Sequence, residues 1–241
     1  MPNPTAESPP IAAHHPSSAD SGPDERPAHG AEAGRHHLSF EGLRRSFGRV
    51  RALRDVSGAA DQGELLLVTG ANGSGKSTLL RCLAGLLRPQ KGTICCRVDG
   101  RELGLDERRH AVGFLSPDLA FYEELGTLEN LRFFARLRGV SAEGGGALLE
   151  RLGLPQKRAA GALSSGMRQR LRWAWALLHA PRILLLDEPM QNLDAAGRRD
   201  VAQLLAGHLE GGDGRGPGLA VVANPDPVDL PRVDHHVELA G

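Results

Sequence analysis

The stretch that most narrows the fold of this chain is Glu64–Thr69, ELLLVT, which runs directly into Gly70-Ala71-Asn72-Gly73-Ser74-Gly75-Lys76-Ser77-Thr78. An unbroken apolar run of strand length suits a strand covered on both faces, the situation of parallel strands in α/β proteins. The run ends in a glycine-rich loop, and the residues from Lys76 onward have helical character. Gly73 and Gly75 let backbone approach phosphate oxygens with no Cβ in the way, and the loop amides and the helix N-terminus favour negative charge. In such a loop Lys76 reaches the β- and γ-phosphates of a nucleotide and the Ser77 hydroxyl ligates Mg2+. The chain has 29 basic side chains, and only Lys76, Lys91 and Lys157 are lysine, so a lysine at this slot argues against a chance glycine-rich turn.

A second element is Arg182-Ile-Leu-Leu-Leu-Asp187-Glu188-Pro189. The carboxylates follow an apolar strand at its C-terminal end, where ligands bind in parallel α/β sheets. Asp187 is suited to hold Mg2+ through its water shell, and Glu188 to polarise an attacking water as general base. A lone acidic pair after a strand more often caps a helix; the phosphate loop upstream makes the catalytic assignment the better one. A third element, Leu163-Ser164-Ser165-Gly166-Met167-Arg168-Gln169-Arg170, opens a helix shortly before that strand. Alone it is an ordinary serine N-cap.

Taken in order and spacing, the three elements resemble those of the ABC ATPases, whose signature segment is usually written LSGGQ. The resemblance runs from about residue 38 to 239. It implies an α/β fold of the P-loop type, with a mainly parallel core sheet, an antiparallel N-terminal β part and an inserted helical lobe at about 118–180. It implies ATP and Mg2+ as ligands, adenine stacking on Phe47, a D-loop at Asn192-Leu193-Asp194, and hydrolysis carried by Lys76 and Glu188. It implies two cassettes paired head to tail, each ATP held between one P-loop (Gly70–Thr78) and the partner's Ser164, Ser165 and Gly166. The expected second partner is an integral membrane permease, which places the chain peripherally on the cytoplasmic side of the membrane; no nucleic acid is expected.

Two landmarks of that family are absent. Pro117 stands where the Q-loop glutamine falls, and Pro225 where the switch histidine falls, unless a one-residue slip presents Asn224. Proline offers no side-chain donor and no N–H. Slow intrinsic hydrolysis, with ATP binding and pairing kept, is the expectation; His235 and His236 come too late to substitute. The segment from Gly113 to Leu131 resembles the short ATPases of ABC-2-type exporters; within them Thr127-Leu-Glu-Asn-Leu-Arg-Phe-Phe-Ala-Arg-Leu-Arg-Gly and Leu163-Ser-Ser-Gly-Met-Arg-Gln-Arg are most similar to the haem-exporter subunit of cytochrome c maturation. Leu131, Phe134 and Leu137 are equally what an ordinary amphipathic helix presents. Rival functions are a soluble ABC protein acting on DNA or ribosomes, a P-loop kinase, and a regulatory, hydrolysis-impaired half of a heterodimer.

Bulk features agree with one sizeable α/β domain. The 241 residues are 40% hydrophobic, and 29 basic against 29 acidic side chains give no broad pull toward nucleic acid. Three cysteines, two of them adjacent, suit packing in a reducing compartment rather than a disulfide framework. No apolar run approaches the roughly 20 residues of a membrane span, and no secretory h-region follows the N-terminus. Residues 1–36, rich in Pro, Ala, Ser, His and Gly, are expected to be a disordered tail before a domain at 37–241. The histidine pairs His14/His15 and His36/His37 carry little weight as metal ligands.

Further along, strands are expected at Leu38–Leu43, Val50–Ala60, Thr93–Val98, Ala111–Leu115, Ile183–Leu186, Leu219–Ala223 and His236–Leu239. Helices are expected at Lys76–Leu87, Thr127–Gly139, Ala147–Gly153, Gly166–His179 and from Ala195 to about Leu209.

Overall fold

A computed structural model describes residues 36–212, 214–225 and 230–240. Residues 1–35 of the expected disordered tail and the His14/His15 pair lie outside the described residues; His36, the last residue of that expected tail, is instead buried, its Nδ1 accepting the Asp99 amide at 3.2 Å. The chain opens with β1 (His37–Phe47), β2 (Val50–Asp61), β3 (Leu65–Thr69) and α1 (Lys76–Leu83). There follow β4 (Lys91–Val98), β5 (Arg101–Glu102), α2 (Leu105–Ala111) and β6 (Val112–Leu115). The segment before the next strand is helical: α3 (Thr127–Arg138), α4 (Gly145–Arg151), a short 3-10 turn (Ala160–Ala162) and α5 (Ser165–Leu177). β7 (Ile183–Asp187), α6 (Ala195–Glu210), β8 (Leu219–Ala223) and β9 (His235–Glu238) complete it.

Two sheets form. One is antiparallel, in the order β2-β1-β4-β5, and the other parallel, in the order β6-β7-β8-β3-β9. The alternation of side chains along the parallel strands explains their continuous apolar runs. Leu65, Leu67, Leu184, Leu186, Ala220 and Val222 face a core shared with α3–α6. Leu66, Val68, Ile183, Leu185, Leu219 and Val221 face a second core shared with α1 and the antiparallel sheet. Both faces are dry, so neither parity tolerates a polar residue. Because all five strands are parallel, the loops after β3, β7 and β8 emerge on one edge, with β8 between the other two.

Several elements differ from expectation. α1 stops at Leu83 rather than Leu87: Gly85 is left-handed (φ 76°) and the amides of Leu86 and Leu87 both turn back to the Arg81 carbonyl. β5 and α2 were not expected, since Leu105–Ala111 is short and mostly charged. It is held by Glu107, whose carboxylate accepts the Gly104 amide at 2.8 Å. In α3, Leu131 is buried but Leu137 is 68% exposed, so the apolar stripe is narrower than periodicity suggests. Asn130, fully buried, secures the lobe's entry loop by donating to the carbonyls of Tyr122, Leu125 and Gly126.

Candidate active site: a phosphate loop, an acidic strand end and a serine-capped helix

The loop from Gly70 to Gly75 wraps the N-terminus of α1. Lys76 is the first residue of that helix, 6% exposed, and its ammonium donates to the carbonyls of Gly70 (2.7 Å) and Ala71 (3.0 Å). Among the described residues no carboxylate lies within ion-pair distance of it. The glycines split in their reasons. Gly75 is left-handed (φ 102°), and a Cβ there would collide with the Ala52 carbonyl oxygen of β2, so this glycine lets the antiparallel sheet lie against the loop. Gly73 (φ 85°) would place its Cβ in open space. Only Gly73 therefore keeps a surface clear for a phosphate, whereas sequence alone assigned that role to both.

Asp187 ends β7 and is 2% exposed. Burial pushes its carboxyl above the usual carboxylate range; a hydrogen bond with the Ser77 side chain opposes this, neighbouring Glu188 adds to it, and Arg81 and Lys76 oppose it. Ser77 of the phosphate helix thus stands beside the acidic strand end, across β8. Glu188 is half-buried, with left-handed backbone (φ 48°). Its amide donates to the Ala223 carbonyl of β8 at 2.8 Å, and its carboxylate accepts from Gln191 Nε2 at 2.7 Å. The two adjacent carboxylates thus have different surroundings, one dry and bonded to Ser77, the other turned away.

Ser164 caps α5, its Oγ accepting the Met167 amide at 3.2 Å, and Ser164 and Ser165 are exposed. The helix packs on the acidic turn of its own chain: a Cβ on Gly166 would sit 2.9 Å from the Asn192 carbonyl oxygen. Asp194 caps α6 through the Gly197 amide (2.8 Å). Phe47, at the tip of β1, is 49% exposed with the Arg45 guanidinium 4.9 Å from its ring centroid. Sequence reasoning passed over Gln169 of α5. It is 1% exposed and donates to the carbonyls of Glu188 (3.1 Å) and Pro189 (3.0 Å). The sequence marks it only as an amide side chain in the helix after a serine cap, with nothing to give it weight.

A family model described as ABC transporter matches residues 53–191, more than half the chain, from within β2 to the acidic turn. This chain belongs to the ABC transporter ATP-binding family. An uncharacterized ABC transporter ATP-binding protein of Bacillus subtilis, YxlF, is 41% identical over 174 residues, 70% of this chain but 57% of that protein. The cytochrome c biogenesis ATP-binding export protein CcmA of Rhizobium meliloti is 38% identical over 197 residues, 79% of this chain and 92% of the relative. Sulfate/thiosulfate import ATP-binding proteins also match, at 35–37% identity. The chain thus spans little more than half of several curated relatives. A dimeric post-hydrolysis state of the cassette MJ0796, bound to ADP and Pi, superposes with a TM-score of 0.70 at 25% identity, over 84% of this chain and 94% of that one.

The ABC ATPase family hydrolyses ATP with Mg2+, and the groups present fit that ligand. The Lys76 charge is buried without an anionic partner among the described residues, the Ser74 hydroxyl is buried with no hydrogen-bond partner, and the side of Gly73 stays open. Ser77 and Asp187 together offer oxygen donors of the kind Mg2+ prefers.

Against the family pattern, Pro117 sits in a turn after β6, where the Leu119 amide donates to the Ser116 carbonyl at 3.1 Å. The adjacent Asp118 ion-pairs with Arg81 of α1. Pro225 is exposed, and the amide of the preceding Asn224 donates to the Val68 carbonyl at 3.1 Å. His236 bonds Thr69 Oγ1 at 2.7 Å and His235 bonds Glu64 at 2.8 Å along the β3–β9 edge. The cysteines are free, and burial pushes the thiols of Cys82 and Cys96 up to about 11. Among the described residues no helix is long and apolar enough to cross a membrane.

Proposed function

We propose that this chain is the ATP-hydrolysing subunit of an exporter, working as a head-to-tail pair of cassettes on the cytoplasmic face of the membrane beneath a separate permease. The observation that carries it is the placement of Ser77 beside the buried Asp187, which sets the helix bearing Lys76 against the strand end bearing the general-base candidate Glu188. In this reading the amides of Gly70–Gly75 and the Lys76 ammonium bind the β- and γ-phosphates, with Thr78 on the same first turn, and Phe47 stacks on the adenine. Ser77 and Asp187 hold Mg2+, which neutralises phosphate charge when bound. Glu188 orients a water and takes its proton as the water oxygen bonds the γ-phosphorus and the bridging oxygen leaves with ADP. The dipole and free amides at the start of α5, with Ser164, Ser165 and Gly166, favour the γ-phosphate of the other subunit.

Within exporters, haem export for cytochrome c biogenesis is the narrower assignment. It is supported by the near full-length match to CcmA and by the segment Thr127–Gly139. Pro117 and Pro225 favour a second reading, in which binding and pairing are retained and hydrolysis is slow.

The test is Mg-ATP binding and turnover by the purified chain, with Lys76→Ala as the comparison, alongside identification of the membrane protein that copurifies. Lys76→Ala is expected to abolish turnover. A wild-type chain that fails to retain Mg-ATP, or transfers phosphate to a small molecule without pairing, would overturn the assignment. Deletion that leaves c-type cytochromes fully haem-loaded would remove the haem reading alone.

A further inference from the structure

We propose that Gln169 is a positioning residue for Glu188: it transmits the seating of α5 against the partner's nucleotide to the general base of its own subunit. The inference rests on the reading that α5 closes over a second subunit's ATP. Every polar group of the Gln169 amide is engaged. Its Nε2 donates to the carbonyls of Glu188 and Pro189, and its Oε1 accepts from Arg172 Nη1 at 3.1 Å, which fixes the orientation of the amide. On the same helix, Trp173 Nε1 donates to the Pro189 carbonyl at 2.9 Å. One turn nearer the cap, Gly166 lies against the Asn192 carbonyl. Positions 166, 169 and 173 share one helix face, so the first turns of α5 grip the segment from Glu188 to Asn192 as a unit.

That segment is held in a conformation it would not adopt alone. Glu188 (φ 48°) and Asn192 (φ 61°) are both left-handed without being glycine, and such backbone persists only where its surroundings over-determine it. For Glu188 the determinants are few. Its amide is bonded to β8, its carboxylate to Gln191 Nε2, and its carbonyl to both the Gln191 amide (3.1 Å) and Gln169. Of these, only the bond from Gln169 comes from the helix expected to move with the partner's nucleotide. The path extends further, because Arg172 Nε donates to the Leu119 carbonyl at 3.2 Å, on the loop that carries Pro117 and Asp118. Gln169 therefore stands where the phosphate-sensing helix, the general base and the loop after β6 meet.

The experiment compares wild type with Gln169→Met in the full chain, a substitution of similar length that lacks the amide donor. Gln169→Glu, equally long and equally without the N–H groups when ionised, serves as the second variant should methionine prevent folding. Turnover is expected to fall by about 10- to 100-fold, the scale of a small misplacement of a catalytic group. KM for ATP and pairing driven by a non-hydrolysable ATP analogue stay at wild-type values, and the acid limb of the pH–rate profile shifts. Amide hydrogen exchange at residues 188–191 accelerates while β7 is unchanged. A variant with wild-type turnover and wild-type exchange at 188–191 would overturn the inference. So would a loss of turnover matched by an equal loss of pairing, since that would mean Gln169 merely shapes α5. Absence of ATP binding by wild type would count against the transporter assignment instead, and the exchange measurement, which needs no turnover, still decides the role of Gln169.

Discussion

Substituting the two inner glycines of the phosphate loop one at a time separates what the loop does for the ligand from what it does for the fold. Both are left-handed, φ 85° at Gly73 and φ 102° at Gly75, so alanine at either carries backbone strain of about 1–3 kcal/mol. Their surroundings differ. An added methyl at Gly73 meets nothing, whereas at Gly75 it runs into the Ala52 carbonyl with Leu53 close by, and the antiparallel sheet must give way. Forced overpacking of that kind adds about 1–3 kcal/mol. For a chain of this size each kcal/mol moves Tm by roughly 2–4 °C, so Gly75→Ala should melt about 2–12 °C below Gly73→Ala. The assay is thermal unfolding of both variants with and without Mg-ATP. Gly73→Ala should keep most of its ligand-free stability yet lose the upward Tm shift that Mg-ATP gives wild type, because its methyl occupies the side left clear for phosphate. If Gly75→Ala melts no lower than Gly73→Ala, the sheet does not rest on the loop as described. If Gly73→Ala retains the full Mg-ATP shift, phosphate does not approach there.

Two further outcomes follow from individual side chains. Pro225→His restores a donor where the family carries its switch histidine, and restoring one preorganised donor is worth on the order of 10²–10³ in turnover; a wild type already turning over at ordinary transporter rates, with no gain from the substitution, would show that Pro225 limits nothing. His179 is held at about 4, chiefly by burial and then by Arg138, with a backbone bond at Val112 opposing, so it folds in the neutral form. A depressed histidine contributes stability that is present above its ordinary 6.5 and lost as the pH falls toward 4. The melting temperature should therefore decline across that window, and His179→Phe should flatten the decline; parallel slopes for the two proteins would refute the assignment.

Much of the frame was legible in the sequence because burial on both faces writes itself as uninterrupted apolar runs. Leu65–Val68, Ile183–Leu186 and Leu219–Ala223 are strands in which both parities are apolar, and each lies in the parallel sheet within a residue or so of expectation. The acidic pair was legible for the same reason, since charge at the end of such a run has to sit at a strand terminus. α2 was missed because so short and charged a helix has no apolar period to read. The early end of α1 depends on Gly85 adopting a left-handed conformation, where the leucines beyond it still looked helical. Gln169 could not be weighed from sequence at all. Its value lies in carbonyls on the turn after β7, brought beside it only by the tertiary fold, and backbone acceptors carry no side-chain signature.

The distribution of intact and altered positions has an energetic consequence. In the proposed reading Lys76, the loop amides and the Ser77–Asp187 pair act on bound nucleotide before and during reaction, so their first effect is on affinity. The positions lost to proline, 117 and 225, lie on loops at strand ends, where donors would act on charge that develops only as the phosphoryl group transfers. Interactions made in both states lower the dissociation constant, and those made only in the transition state raise turnover. A cassette altered in this pattern therefore holds ATP normally and spends a larger share of its cycle closed over it. Anything that moves the loop after β6, as a membrane partner docked on the helical segment would, then acts on the slow step through Leu119, Arg172 and Gln169 to Glu188. Stimulation by the permease should accordingly appear in kcat rather than in KM.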